Sequence, residues 1–413
     1  MLEDDNQLAH EAAHRVARES YGKLVAFLAK RTRDVAGAED ALSEAFAAAL
    51  VDWPRKGVPL NPEAWLMAVA KRKTIDASRR TQSGTAASDH LQLLAEEIEA
   101  MATLEKPIPD DRLALMFACA HPALDPAIRT PLILQTVLGL DAADIGSAFL
   151  VTPAAMGQRL ARAKNKIKVA GIPFRIPDRA ELGERLDAVL EAIYAAYANG
   201  WSDPANAQNN LADEAIWLGR LVVGLLPDEA EALGLLALML FLQSRSNARR
   251  SALGEFVPLS KQDPEAWNAE MLGEAEHLLH QASAMNVVGR YQLEAAIQSA
   301  HTTRRFAGAT DWQAIVDLYK GLLEITGSSV VAINYAVALA EVEGPEAGLA
   351  ALPQLSENPE LIQFQPYHAA RAELLSRAGK VTEAREAYDL AIGLETDPAI
   401  RNFLLAKANS KMQ

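Results

Sequence analysis

Two stretches of the chain concentrate positive charge in a way that suits contact with phosphate groups. Lys71 to Arg80 (KRKTIDASRR) holds five bases and one acid, and Arg159 to Arg175 (RLARAKNKIKVAGIPFR) holds six bases and no acid. Clusters of Lys and Arg on helices are the electrostatic pattern expected of a nucleic-acid-binding surface. A solvated helix face is the alternative, because most charge runs are solvated faces. Phosphate contact is therefore the first chemistry to consider for this chain.

Residues suited to catalysis or metal binding form weaker patterns. Cys119 and His121 are two apart, but Cys119 is the single cysteine of the chain and no clustered His completes a zinc site. Pro122 and the apolar run before Cys119 favour a helix end with a capping His. His277 and His280 lack a neighbouring third ligand and are expected at the surface. Because the sequence also has no phosphate-binding Gly loop, G-x-S-x-G or Rossmann motif, we predict no enzymatic activity, metal site or cofactor.

The net charge of −14 is confined to the C-terminal part of the chain. Residues 1–177 hold 22 Lys and Arg against 22 Asp and Glu, whereas residues 178–413 hold 18 against 32. The total argues against nucleic acid as a partner, but it averages over unlike parts. The N-terminal part is neutral and contains both basic clusters.

The chain has the features of a cytoplasmic protein. Its start, MLEDDNQ, is acidic and polar and does not have the pattern of a secretory signal. The longest apolar run, Ala232 to Leu242, has 11 residues, fewer than the roughly 20 that span a bilayer. One cysteine excludes an internal disulfide and fits a reducing compartment. We therefore expect cytoplasmic localisation without a membrane partner.

Nearly every segment has helical periodicity, and no run has the alternation typical of a strand. The sequence therefore predicts an all-α fold. A loop containing Pro54 and Gly57 separates a helix ending near Leu50 from one that begins at Pro62 with Asn61 as its cap.

Further breaks divide the chain into four predicted segments. The small, polar stretch Thr81 to Ser88 and the acidic residues after it indicate a linker, and GIPFRIP at Gly171 to Pro177 ends a second helical unit. The predicted segments are a helical domain at 1–82, a linker at 83–109, a second helical domain at 110–177 and a helical C-terminal domain at 178–413.

Asp141 to Lys168 predicts a short helix, a tight turn and a basic second helix that starts at Pro153 with Thr152 as its cap. This is the helix-turn-helix arrangement, in which the first residues of the second helix approach base edges in DNA. Only Gln158 and Arg159 have side chains suited to bidentate base contact, so most binding energy is expected from backbone phosphates. A plain helical corner is the alternative.

The order of features from Asp34 to Arg80 resembles region 2 of the extracytoplasmic-function sigma factors, which are bacterial initiation factors of RNA polymerase. These features are an acidic helix start (DVAGAEDALSEAFAAAL), a tryptophan with a Pro-rich loop, and a helix running from PEAWL to IDASRR. Residues 110–168 are similar to region 4 of the same factors. The remaining residues, with CAHPAL at Cys119 to Leu124 and the GIPFRIP junction, resemble a subgroup with a tetratricopeptide-like extension.

The resemblance implies a sigma factor that binds core RNA polymerase at the β′ clamp and β flap, recognises −35 and −10 promoter elements and promotes melting. The residues that would dock on the clamp are acidic: Glu39, Asp40 and Glu44. Those that would hold DNA at the −10 element line a loop and a basic helix: Trp53, Asn61, Lys71, Arg72, Lys73, Arg79 and Arg80. A basic groove with stacking surfaces suits single-stranded DNA, although Trp53 and Trp65 are equally suited to a core.

At the −35 element, the resemblance implies contacts from the second helix of the helix-turn-helix and its cap: Thr152, Ala155, Gln158, Arg159, Arg162 and Lys164. The family commonly has Thr where Ala155 stands and Lys where Gly157 stands. The phosphate-binding bases Arg159, Arg162 and Lys164 keep the family pattern.

The stretch His368 to Pro398 has the pattern of a 34-residue tetratricopeptide unit. The residues at its characteristic positions are Ala372, Leu375, Gly379, Ala384, Tyr388 and Ala391. A looser copy covers 311–352, and a generic helical bundle is the alternative. An array of such hairpins suggests a protein partner. The acidic excess of this part suggests two alternative roles: it folds back on the basic surfaces and competes with DNA, or it contacts polymerase and is needed for activity.

Two other functions explain part of the sequence. A transcriptional regulator with one DNA-binding module and a helical sensor explains Asp141 to Lys168 but not Asp34 to Arg80. A helical scaffold without a DNA role explains the C-terminal part alone and makes both basic clusters incidental.

Overall fold

The computed structural model describes residues 2–81, 110–149, 151–202, 211–303 and 308–410. The described residues form α-helices and short 3₁₀ turns, with one isolated antiparallel bridge between Arg250 and Phe256. No strand forms within these ranges, so the predicted all-α fold is confirmed. The predicted linker at 83–109 lies outside the described residues.

Contacts between residues divide the chain into two compact units, Met1–Leu221 and Val222–Gln413. The helices of the first unit are α1 (Leu2–Thr32), α2 (Val35–Lys56), α3 (Pro62–Thr81), α4 (Arg112–Cys119), α5 (Pro126–Thr136), α6 (Ala142–Ala148), α7 (Pro153–Ala170), α8 (Arg179–Ser202) and α9 (Leu211–Leu225), within which the boundary falls.

Helices α1, α2 and α3 pack on one another. Asp34 caps α2 by accepting a hydrogen bond from the Gly37 amide at 3.0 Å, and Asn61 caps α3 by accepting one from the Ala64 amide at 3.0 Å. The predicted start of α3 at Pro62 is confirmed.

The end of α2 differs from the prediction. The helix does not end near Leu50 but continues through Pro54 to Lys56. A proline loses its own N–H bond, but close to a helix end few further bonds are disturbed. The amide of Gly57 then donates to the Trp53 carbonyl at 2.9 Å and ends the helix with a φ of 84°, a conformation that glycine adopts without strain.

Helix α4 is buried on every side. It packs against α1, α5 and α8, as a helix that is apolar all round requires. Its last residue, Cys119, lies with Sγ 3.5 Å from Oγ1 of Thr136. Burial raises the pKa of this thiol to about 12.

Helix α8 packs on α5 and α4, in the first unit. Glu184 and Glu191 on α8 bind Arg129 and Thr130 on α5, at 3.2 and 2.8 Å respectively. The predicted start of the C-terminal domain at residue 178 therefore falls inside the first unit. The reason is that GIPFRIP ends α7, but the apolar face of α8 returns to the same core.

Helix α9 adds to the same unit through Arg112. The guanidinium of Arg112 pairs with Glu214, and its central carbon lies 4.2 Å from the centre of the Trp217 ring. Such a cation over an aromatic face is attractive. The predicted division of the chain into four segments remains a prediction.

The helices of the second unit, after the end of α9, are α10 (Ala230–Gln243), α11 (Ala269–Ala284), α12 (Arg290–Thr302), α13 (Trp312–Thr326), α14 (Ser329–Glu343), α15 (Pro345–Ala351), α16 (Gln365–Arg377), α17 (Val381–Leu394) and α18 (Pro398–Ser410). Helix α10 is buried almost all round and packs on α11 and α12. Gly234 permits the close approach to α12, since a Cβ there would stand 2.7 Å from the Gln292 nitrogen.

The stretch with the tetratricopeptide pattern forms the antiparallel neighbours α16 and α17. Its characteristic residues Ala372, Leu375, Ala384, Tyr388 and Ala391 share one buried cluster. Gly379 has a φ of 75° in the turn between the helices. These residues pack as expected, and a tetratricopeptide-like array remains a prediction.

Candidate functional site

The three acidic residues predicted to bind polymerase lie on α2 in different surroundings. Asp40 and Glu44 are exposed, and a carboxylate oxygen of Glu44 lies 2.8 Å from Nζ of Lys73 on α3. The side chain of Glu39 is only 15% exposed and lies 2.5 Å from Nζ of Lys164 on α7, which is 10% exposed. Burial raises the pKa of Glu39, and Lys164 opposes that rise.

A second ion pair joins the same two helices. Nζ of Lys168 lies 2.6 Å from Oδ2 of Asp34, the residue that caps α2. Lys164 and Lys168 are one turn apart on α7, so both face the start of α2. A cavity of about 420 Å³ lies between the two helices, lined by Glu39, Asp40 and Lys164 among others. The structure thus brings predicted polymerase-binding and −35-binding residues into contact with each other.

Trp53, predicted to contact DNA at the −10 element, is a core residue in this structure. It lies inside α2, is 2% exposed and forms an edge contact with Trp65 at 5.5 Å between ring centres. The prediction that its side chain faces DNA is wrong for this conformation, because α2 continues to Lys56, well beyond the expected end near Leu50. Trp53 thereby joins the buried stripe formed by Leu42, Ala45 and Ala49.

The other residues predicted for the −10 element lie at the start and along the length of α3. Asn61 is exposed and caps the helix. Lys71 is half-buried, whereas Arg72 and Lys73 are exposed. The side chains of Arg79 and Arg80 lie outside those that the structure describes.

Residues predicted for the −35 element fall on two sides of α7. Thr152 caps the helix, with its hydroxyl oxygen accepting from the Ala155 amide at 3.4 Å. Gln158, Arg159 and Arg162 are exposed, while Ala155 is half-buried. The exposed side therefore retains side chains suited to base and phosphate contact.

Lys164 does not belong to that exposed side. It shares the buried stripe of Met156, Leu160 and Ile167 and is paired with Glu39. The prediction that it contacts DNA is therefore wrong for this conformation. Lys166 was missed, although it is exposed and follows Arg159 and Arg162 at helical spacing.

The helix ends at Cys119, as predicted, but the ring of His121 bonds to the loop after the helix instead of capping the helix. Nδ1 of His121 accepts a hydrogen bond from the Ala123 amide at 3.1 Å. Burial and the nearby Arg185 lower the pKa of His121. His277 and His280 are exposed on α11. Within the described residues, no group of three or more His, Cys, Asp or Glu has a metal-binding arrangement.

None of the described helices combines the length and apolar character needed to cross a membrane.

Two protein families match parts of this chain. Residues 16–84, which include the second half of α1 and all of α2 and α3, match Sigma-70 region 2. Residues 185–283 match a family of unknown function, DUF6596. No solved structure matches the chain.

A curated relative covers most of the molecule. An uncharacterized protein of Rhizobium meliloti (strain 1021) is 40% identical over 368 residues, which are 87% of this chain and 86% of the relative. The chain therefore belongs to the same family as this Rhizobium meliloti protein and carries a sigma-70 region 2 in its N-terminal helices.

Proposed function

We propose that the protein is an RNA polymerase sigma factor of the extracytoplasmic-function type that acts in the cytoplasm. It binds core polymerase, recognises −35 and −10 elements and promotes melting, while the polymerase carries out the chemistry. The observation that carries the proposal is the match of residues 16–84 to Sigma-70 region 2. That region supports polymerase binding and promoter recognition, with α1 to α3 as its helices.

The acidic face of α2 would bind the β′ clamp. Asp40 and Glu44 are exposed on this face, and Glu39 lies beside them at the contact with α7. Acidic side chains suit a basic partner and mainly set the association rate and the register of docking.

The exposed bases of α3 would contact the DNA strand at the −10 element. Arg72 and Lys73 are exposed, with Lys73 paired to the exposed Glu44, and Asn61 lies at the start of the same helix. Arg79 and Arg80 extend this basic set along the sequence. Trp53 is left out because its ring is buried.

The exposed side of α7 would bind the −35 element, while the same domain contacts the β flap. Gln158 and Arg159 suit base edges, and Arg159, Arg162 and Lys166 suit phosphates. Thr152 and Ala155 stand at the helix start, which in this arrangement approaches the DNA.

The C-terminal unit would regulate the factor or bind another protein. Its acidic excess and its paired helices favour this role, and a tetratricopeptide-like array is the architecture we propose for it. The match to DUF6596 spans both units and leaves the partner of this region open to experiment.

Copurification with core polymerase followed by run-off transcription tests the proposal. We expect the full chain to bind core polymerase and to yield promoter-specific transcripts. The double variant Asp40→Lys/Glu44→Lys should weaken core binding at least tenfold, because it places positive charge against a basic partner. Glu11→Lys, an exposed acid on α1, is the matched control and should bind like the wild type.

Failure of the wild-type chain to bind core polymerase would overturn the proposal. Specific DNA binding without any effect on core polymerase would instead identify a regulator with a single DNA-binding module.

A further inference from the structure

We propose that the first unit is self-inhibited: α7 covers part of the acidic face of α2, so core polymerase must displace α7 before it binds fully. The inference rests on the proposed function and concerns the regulation of the same site. In the isolated protein, the polymerase-docking face of α2 and the predicted −35 helix α7 would therefore bind each other.

The two ion pairs between α2 and α7 are the first support. Lys164 and Glu39 are both largely buried with 2.5 Å between their charged atoms, and Lys168 reaches Asp34 at 2.6 Å. A buried charge is costly unless it is paired. The pairing of Lys164 with Glu39 therefore favours the closed arrangement once the two helices have met.

Backbone packing supports the same contact at another place. A Cβ on Gly22 of α1 would stand 1.9 Å from the carbonyl oxygen of Val137, just after α5. Only glycine fits there, because any larger residue collides with backbone. The helices that carry the predicted −35 domain thus lie directly on α1.

A third tie lies at the start of α4. The carboxylate of Asp111 binds Lys30 at 2.6 Å and Arg31 at 3.3 Å, both near the end of α1. Asp111 is 11% exposed, so solvent screens this cluster only in part. Three separate contacts therefore hold the predicted −35 domain against α1 and α2.

The closed arrangement leaves part of each surface available. Asp40 and Glu44 remain exposed on α2, and Arg159, Arg162 and Lys166 remain exposed on α7. Polymerase can thus form a first contact with Asp40 and Glu44 and then replace Lys164 and Lys168. The measured affinity for polymerase is the affinity of the open state multiplied by the fraction of molecules that are open. A variant that opens the unit should therefore bind polymerase more tightly.

The variant Gly22→Ala tests the proposal in the full chain, because Gly22 lies outside both binding surfaces. Its methyl group should force α1 and α5 apart and raise the affinity for core polymerase at least threefold. Gly273→Ala is the matched control: Gly273 lies within α11, and a Cβ there meets no atom within 4 Å. We expect the control to bind polymerase like the wild type.

Carbodiimide coupling measures the contact itself. The reagent joins a carboxylate to an amine that touches it, so mass spectrometry should find Asp34 linked to Lys168 and Glu39 linked to Lys164 in the isolated wild-type chain. Both links should become rarer in Gly22→Ala and in the wild type saturated with core polymerase. The coupling needs no variant, so it tests the proposal even if Gly22→Ala fails to fold.

Three results would overturn the inference: no coupling in the isolated chain, equal coupling with and without polymerase, or lost coupling in Gly22→Ala with unchanged polymerase affinity. A wild-type chain that shows both links but never binds polymerase would refute the proposed function while leaving the closed contact demonstrated.

Discussion

The two basic clusters of this chain, on α3 and on α7, differ in how much of their charge faces solvent. On α3, Arg72 and Lys73 are exposed, and the partner of Lys73 is the exposed Glu44. On α7, exposed bases occupy one side, while Lys164 lies on the other side among apolar residues. The difference shows that a run of bases predicts a basic helix but does not say which bases are available to DNA.

Exposure to solvent also distinguishes the two tryptophans from the basic residues that follow them in the sequence. Trp53 and Trp65 pack against each other, and Trp53 has almost no exposed surface. Arg72 lies in the same helical domain but is exposed. Residues with one predicted role therefore divide into a buried group that holds the helices together and an exposed group that can meet DNA.

The largest expected effect is on stability, from Trp53→Ala. Removing a buried Trp should lower the free energy of unfolding by about 4 kcal/mol. Urea denaturation of the full chain measures this, with Arg72→Ala as the control that changes stability by less than about 0.5 kcal/mol. A loss below about 1 kcal/mol for Trp53→Ala would contradict the burial of its ring and restore it as a DNA-contact candidate.

The next effect concerns DNA binding by the exposed side of α7. The triple variant Arg159→Ala/Arg162→Ala/Lys166→Ala should weaken binding of the polymerase complex to a −35 fragment about 100-fold. It should also flatten the slope of log affinity against log salt by up to about 2.7, because each lost phosphate contact contributes about 0.9. Fluorescence anisotropy across a salt series measures both quantities.

Arg175→Ala is the matched control for that prediction, because Arg175 belongs to the same sequence cluster but follows α7 and lies 2.7 Å from Glu181. Its slope should equal that of the wild type. A triple variant with an unchanged slope would show that the exposed side of α7 does not face phosphate.

A smaller effect is expected from breaking the buried pair. Lys164→Met leaves Glu39 without its partner, and the free energy of unfolding should fall by about 2 kcal/mol. The double variant Lys164→Met/Glu39→Leu should recover most of this loss, because two apolar side chains can replace a buried ion pair. If the double variant is as unstable as the single one, the pair is not the source of the effect.

The smallest expected effect comes from the second ion pair between α2 and α7, Lys168 with Asp34, which is more exposed than the pair of Lys164 with Glu39. The side chain of Lys168 is 57% exposed, so Lys168→Ala should lower stability by about 0.5 kcal/mol or less. Thermal denaturation at low and high salt measures it, and salt should reduce the difference from the wild type. A loss equal to that of Lys164→Met would mean that solvent does not screen this pair.

Much of the fold was predictable from local patterns. Asn61 and Pro62 correctly predicted the start of α3, and Thr152 and Pro153 correctly predicted the start of α7. Caps and N-terminal prolines are predictive because they act within one helical turn. The end of α2 was not predicted correctly, since Pro54 was interpreted as a break. A proline near a helix end disturbs few hydrogen bonds, and the apolar stripe that ends in Trp53 continues to pack.

The candidate site was predictable only in composition. Helical spacing alone places Lys164 with Leu160 and Ile167 on the apolar side of α7 and Lys166 on the other side. That spacing was available in the sequence. It would have removed Lys164 from the predicted DNA-binding residues and added Lys166. No pattern within α7, however, contains its partner Glu39, which lies 125 residues away in the chain.

The sequence by itself determined the helical fold class, the caps, and the residue types that suit DNA and a basic protein partner, because these depend on periodicity and on neighbours within a few residues. Only the tertiary structure decided which charges are exposed. It paired Lys164 with Glu39, buried Trp53 and joined α8 to the first unit. These outcomes depend on contacts between distant segments, where the cost of burying a charge or an aromatic ring is balanced by a partner that the local sequence does not contain.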